Sequence, residues 1–143
     1  MAHLLVTGGA GYIGSHVLRA LLRAGHSALV FDDLRAGRER LVRGAPLVRG
    51  DVRDRTALDR VFAEQGPFDG VLHFAALLSV PESVANPLLY YSNNVTGSAV
   101  LLAAALAAGT RKDLGAVPHR LEGAKVTFEV GTPGAGRYAV GWK

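Results

Sequence analysis

Four glycines are the residues of this chain best placed to do chemistry. In LLVTGGAGYIGSH, residues 4–16, an apolar run breaks into Gly8, Gly9, Gly11 and Gly14 and then passes into an amphipathic pattern. Two registers are open, Gly9-x-Gly11-x-x-Gly14 and Gly8-x-x-Gly11-x-x-Gly14, and both meet the same physical demand. One glycine permits a tight turn, the next lets backbone N–H groups approach a pyrophosphate, and the last lets helix and strand pack closely. The start of the helix adds partial positive charge for an anion. Eighteen residues beyond Gly14, Asp32 closes the next apolar run. An acid there accepts hydrogen bonds from ribose hydroxyls and repels a 2′-phosphate, which favours NAD over NADP. Arg35 and Arg38 follow closely and could soften that preference, although solvated surface is the plainer reading.

Two further stretches fit the same chemistry. Gly50–Asp51–Val52 places a carboxylate where it could meet an adenine amino group. HFAAL, residues 73–77, ends an apolar run with small residues that let a nicotinamide ribose lie close. Each alone reads as packing at a strand end. Together, at the C-terminal ends of successive parallel strands, they form a crevice.

The elements that must position these residues alternate. Strands are expected at His3–Thr7, Ala28–Phe31, Pro46–Arg49 and Gly70–Ala75. Between them, Tyr12–Ala24 carries an apolar stripe with Gly25 as its C-cap, and a second helix, capped by Thr56, runs to Gln65. Asn86–Pro87 opens a long helix that ends near Gly109. Strands alternating with helices predict an α/β fold, a doubly wound parallel sheet of the Rossmann type. Beyond Gly109 the texture changes. AKVTFEV alternates apolar and polar, with GRYAVGW as its hairpin partner across GTPGAG. The domain division read here is 1–109 for the Rossmann-type unit and 110–143 for a β appendage of unrelated character.

Composition excludes several classes of function. With 49% hydrophobic and 20% charged residues the chain is globular rather than disordered. There is no cysteine, so disulfides and thiolate zinc sites are excluded, and the five histidines show no paired ligand spacing. No membrane span or signal peptide is read, which makes the cytoplasm the default location. The net charge of +4 gathers towards the end, where residues 111–143 hold six basic side chains against three acids. Solvated surface is preferred there over a nucleic-acid partner.

VTGGAGYIGSH, FDDL, GDVRD, VLHFAAL, PESVANPLLYYSNNVTG and LLAAALAAG closely resemble the UDP-glucose 4-epimerases, a group of extended short-chain dehydrogenases/reductases. The resemblance spans residues 3 to about 109. It implies tightly bound NAD and epimerisation of a UDP-sugar through a 4-keto intermediate. In that chemistry a Tyr-x-x-x-Lys tyrosine, helped by a serine or threonine, takes the 4-OH proton. The hydride passes to NAD and returns to the other face of the sugar. Carried over by motif, the implied cofactor contacts are Gly8, Gly11, Tyr12, Ile13, Gly14, Asp32, Asp33, Asp51, Val52, Phe74, Ala75, Ala76 and Asn94.

The departures are as informative. No Tyr-x-x-x-Lys occurs: four residues after Tyr12, Tyr90, Tyr91 and Tyr138 stand His16, Asn94, Val95 and Trp142. Leu78 occupies the place of the group's cofactor-directed lysine, and TRKDLGAVPHR stands where its Ser/Thr-bearing strand would follow. The sugar-nucleotide domain is also read as absent, so the chain is expected to be a truncated NAD-binding part. No catalytic residue is assigned, and a UDP-sugar is expected as partner only if the missing groups arrive in trans. His73, read as mid-strand, is expected to be a buried, hydrogen-bonded residue rather than a base, and His16 reads as structural. Tyr90 and Tyr91 read as packing or cofactor-side residues, and Ser79, Glu82 and Ser83 receive no role.

Alternatives from other classes are a non-catalytic folded remnant or assembly module, and a nucleic-acid binder using the basic tail. LEGAKVTFEV and GRYAV resemble the closing strands of a cold-shock domain. Because base stacking depends on aromatic platforms that lie mostly outside those strands, Phe128, Tyr138 and Trp142 read as packing residues. A truncated sheet would leave its fourth strand as an apolar edge. AKVTFEV could fill the fifth position, or a second copy of the chain could pair there as a homo-oligomer.

Overall fold

The computed structural model describes residues 1–110 and, further along, the strands His119–Glu122 and Lys125–Phe128. The chain divides into two units, Met1–Arg111 and Lys112–Lys143.

In the first unit, β1 (His3–Thr7) leads through α1 (Tyr12–Arg23) to β2 (Ser27–Asp32), and a short 3₁₀ turn, Glu39–Leu41, precedes β3 (Leu47–Arg49). Then come α2 (Arg55–Gln65), β4 (Gly70–His73), α3 (Val80–Ala85) and α4 (Pro87–Tyr90). A π-helical segment, Tyr91–Thr96, joins α4 to α5 (Gly97–Ala107). The four strands are parallel in the order β3-β2-β1-β4. The chain therefore builds outward on one side of β1 and resumes on the other, which leaves a topological switch point between β1 and β4.

Both faces of the sheet are covered, which is why its strands are apolar runs rather than alternations. Successive residues of β1 and β2 point to opposite faces. Leu5, Leu29 and Phe31 pack with Leu58, Val61 and Phe62 of α2 and Leu101 and Ala104 of α5. Val6, Ala28 and Val30 pack with Leu18 of α1 on the other face. α1 ends as its sequence predicts: Gly25 sits at φ 80°, its N–H bonds to the Leu22 carbonyl, and the His26 N–H bonds to that of Leu21.

Local chemistry differs from expectation in several places. Asp54, not Thr56, caps α2 and accepts the Ala57 N–H at 3.0 Å, because a carboxylate beside the first turn competes well for those donors. Asn86 precedes Pro87 as expected, but its side chain makes no capping bond. The expected single long helix is widened through its π segment and preceded by the separate helix α3, whose cap is Ser79. β4 ends at His73, two residues early, where the chain turns away to edge the crevice.

In the second unit Lys125–Phe128 (β6) is a strand, but its partner is His119–Glu122 (β5), antiparallel and in a two-stranded sheet of its own. The expected partner GRYAV lies outside the described residues. Pairing β6 with the nearest preceding segment closes the shorter loop. No helix among the described residues is long and apolar enough to cross a membrane.

Candidate functional site

The glycine loop sits where β1 turns into α1, and the structure selects between the two registers. Gly8 holds the turn at φ 71° and donates its N–H to the Phe31 carbonyl at 2.9 Å. A side chain there would strike the Phe74 carbonyl carbon and the Ala75 nitrogen, so the exits of β1 and β4 are separated by bare backbone. Gly11 is the N-cap of α1, and its own N–H bonds back to the Gly8 carbonyl at 3.1 Å. Gly14, one turn on, faces the same Gly8 oxygen so closely that a Cβ has no room. Gly8-x-x-Gly11-x-x-Gly14 is thus the working register. Gly9 instead packs on Val30.

A crevice opens over this loop at the C-terminal ends of the strands. Of the residues singled out by sequence, Gly8, Gly11, Asp32, Asp33, Asp51, Val52, Phe74, Ala75 and Ala76 line it. Four others do not. Tyr12 and Ile13 are 79% and 57% exposed on the first turn of α1, and Tyr12 stacks edge-on against His16. Gly14 lies beneath the loop. Asn94 turns to Leu77, accepting its N–H at 2.9 Å and donating to its carbonyl at 3.0 Å, which fastens the Ala75–Leu77 segment to the helix behind it. Its neighbour Asn93, absent from the sequence-based set, is buried, lines the crevice and donates to the Asn94 carboxamide oxygen. The π segment that presents these two asparagines has no sequence signature of its own.

Asp32 is 6% exposed, and both carboxylate oxygens are engaged. Oδ2 accepts the N–H of Ala10 from the glycine loop and Oδ1 that of Leu34, each at 2.9 Å. The acid ties the end of β2 to the phosphate loop while retaining lone pairs towards the crevice. Asp33 caps its own turn by accepting the Arg35 N–H. At the end of β3, Arg53 forks onto Asp51, and this charge-assisted bond holds the Asp51 carboxyl below its usual range. Arg35, Ala36, Gly37 and Gly50 also line the crevice and were not singled out as contacts by sequence. Their signal was adjacency to the two acids.

His73 was expected to be buried. It lies on a terminal strand and keeps much of its ring exposed, although both nitrogens are bonded: Nδ1 to Thr7 Oγ1 at 2.6 Å and Nε2 to Ser98 Oγ at 2.9 Å. Ser98 donates its hydroxyl proton to the Asn94 carbonyl, so it must accept from Nε2–H, and Nδ1 accepts from Thr7. This network suits a neutral imidazole, and partial burial lowers the His73 pKa. The sign follows. With its folded pKa below the ordinary value of about 6.5, His73 costs nothing above that pH, and stability falls as the pH drops from about 6.5 through the folded pKa. Urea midpoints measured from pH 8 to 5 should therefore decline less steeply for His73→Gln than for the wild type. Equal slopes would refute this.

A glycine-cradled strand-to-helix turn, an acid closing the second strand and a crevice at the switch point define a Rossmann-type α/β unit. The chain belongs to the NAD dependent epimerase/dehydratase family, whose model matches residues 4–117. It is 50% identical over 107 residues to a UDP-glucose 4-epimerase from Rhizobium meliloti, covering 75% of this chain and 32% of that protein. It is 54% identical over 110 residues to the enzyme of the same name from Azospirillum brasilense, covering 76% and 31%. Among solved structures, the UDP-glucose 4-epimerase of Thermus thermophilus in complex with NAD superposes with a TM-score of 0.73 at 41% identity, covering 76% of this chain and 35% of that one. The chain thus spans about a third of the length of the relatives it matches.

Proposed function

We propose that the first unit binds NAD in this crevice. The pyrophosphate would lie over Gly8 and Gly11 at the start of α1. The adenosine ribose would lie at Asp32 and Asp33, the adenine by Asp51–Val52, and the nicotinamide ribose beside Phe74–Ala76. The observation that carries the reading is the cradle itself. Gly11 and Gly14 both close on the carbonyl of Gly8, and a side chain at Gly8 or Gly14 would collide with backbone. An α-helix leaves its first N–H groups without intrahelical partners, and here they belong to the turn that edges the crevice. Asn94 would act behind the cofactor by fixing Leu77, and Tyr12 and Ile13 by shaping the rim.

Bound NAD would supply a hydride acceptor and donor. The relatives are named for 4-epimerisation of UDP-glucose, and this chain's part in such a reaction would be to hold and orient the cofactor. The proton-moving Tyr-x-x-x-Lys is not among the 143 residues. General acid–base catalysis contributes about 10²–10⁴-fold, so turnover by these residues alone is not expected, and a UDP-sugar would be handled only together with groups beyond these 143 residues.

Calorimetric titration of the nucleotide-free protein with NAD tests the reading. One-to-one saturation is expected. A cooperatively folded protein that takes up no NAD would overturn it and favour a non-catalytic assembly role.

A further inference from the structure

We propose that Arg53 sets the base preference of this crevice: by forking onto Asp51 it fixes that carboxylate as the acceptor for a 6-amino purine, so that adenine is taken and a 6-oxo purine refused. The inference rests on the dinucleotide reading above, in which the base lies by Asp51–Val52. It makes Arg53 a positioning residue that acts through Asp51.

The place for the base is built just after β3. Phe31 and Val52, both buried in the core, line this part of the crevice together with Gly50, which packs so closely on the Phe31 ring that a side chain there would strike it. This apolar stretch suits a planar ring, and Asp51, between Gly50 and Val52, is its polar group. Arg53 stands behind, outside the crevice lining. Its stem passes the start of α5, where a Cβ on Gly97 would come within 3.4 Å of Arg53 Cγ and 2.8 Å of Val52 Cγ2. The missing side chain of Gly97 therefore leaves room for both residues.

The guanidinium grips both oxygens of the acid. Arg53 Nε lies 2.9 Å from Oδ1 and 3.1 Å from Oδ2, and Nη2 donates to Oδ2. The turn does not need this fork. Asp51 Oδ1 already accepts the Arg53 backbone N–H at 2.8 Å, and the Asp51 carbonyl accepts the Asp54 N–H at 2.9 Å. What the fork adds is a fixed orientation of the carboxylate plane, which a planar two-donor cation imposes and an ammonium does not. The other ion pair among the described residues, Arg55–Asp59, is joined by a single bond and lies outside the crevice lining.

An ionised carboxylate offers about four acceptor sites and no donor. Three N–H groups of Arg53 share these sites, and the Asp51 side chain remains 32% exposed, which leaves room for one further donor. The fork also holds the carboxyl below its usual range, so it stays an acceptor at neutral pH. Adenine presents a 6-amino donor. Hypoxanthine presents a 6-oxo acceptor, which would set lone pair against lone pair. A carboxylate free to rotate could turn to the N1–H of hypoxanthine instead, and the fork forbids that turn.

The test is a set of titrations of the full chain with NAD and with nicotinamide hypoxanthine dinucleotide, for the wild type, Arg53→Met and Arg53→Lys. The wild type should bind NAD about tenfold or more tightly than the hypoxanthine analogue. Arg53→Met keeps the apolar stem and should narrow that ratio to about threefold or less, mainly by weakening NAD. Arg53→Lys keeps the charge without the fork and should restore only part of the ratio. A wild type that binds both dinucleotides equally would overturn the proposal while leaving the NAD reading intact. Equal weakening of the two ligands in both variants would also overturn it, since that is what a purely structural ion pair predicts. If the folded chain binds neither dinucleotide, the NAD reading itself fails and this inference falls with it.

Discussion

Replacing Gly14 by alanine should unfold the phosphate loop from beneath and cost the first unit ~2–4 kcal/mol of stability. The added methyl group would meet the Gly8 carbonyl oxygen and carbon and the Gly9 Cα, all of them backbone, with no flexible side chain to give way. Relief requires α1 to move off β1. That movement breaks the Gly11 N–H bond to the Gly8 carbonyl and pulls Leu18 out of a fully buried position. The helix start moves with it, so NAD affinity should fall by about tenfold or more, as preorganised contacts are lost. Gly25→Ala is the control. That glycine, unlike Gly14, sits at positive φ, and nothing lies within 4 Å of its missing side chain. It should cost ~1 kcal/mol in left-handed strain and leave NAD binding within about twofold. Urea unfolding at constant m, paired with NAD titration below the midpoint, separates the two. Equal costs for the two substitutions would mean that the close approach at Gly14 is relieved more easily than the backbone geometry implies.

The second large effect is expected at Asp32. In Asp32→Ala the Ala10 N–H loses its acceptor in a fully buried position and the Leu34 N–H loses its acceptor in a half-buried one. An orphaned buried donor costs ~1–3 kcal/mol, so the variant should be destabilised by ~2–4 kcal/mol, with the smaller part from Leu34, where water can enter. Asp32→Asn should recover about half, because the amide keeps one acceptor but turns its NH₂ onto the other donor. Both substitutions also remove the charge that would accept the ribose hydroxyls, and NAD should weaken about tenfold. A variant that keeps wild-type stability while losing NAD would show that the two backbone bonds contribute little and that the acid serves the ligand alone.

These two residues show where sequence and structure part. The spacing of Gly8, Gly11 and Gly14 was legible because each glycine answers a local demand: a turn, a helix cap, a close helix–strand contact. Asp32 was legible as the end of an apolar run at a fixed distance from that loop. The choice of register was not legible. Gly8 and Gly9 are adjacent and chemically identical, and only what lies opposite them, the backbone of Phe74 in one case and the side chain of Val30 in the other, tells them apart.

By itself the sequence determined the α/β class, the four parallel strands, the glycine loop and the acid, because periodicity, glycine spacing and strand-end residues express short-range physics. Tertiary structure decided how each polar group spends its hydrogen bonds. It turned Asp32 inward onto two N–H groups, sent Asn94 to Leu77 rather than into the crevice, gave the cap of α2 to Asp54 and held His73 between two hydroxyls. It also delivered Arg35 to the crevice wall. In every one of these cases several local partners were chemically adequate, and the choice fell to the one that packing brought within 3 Å or so.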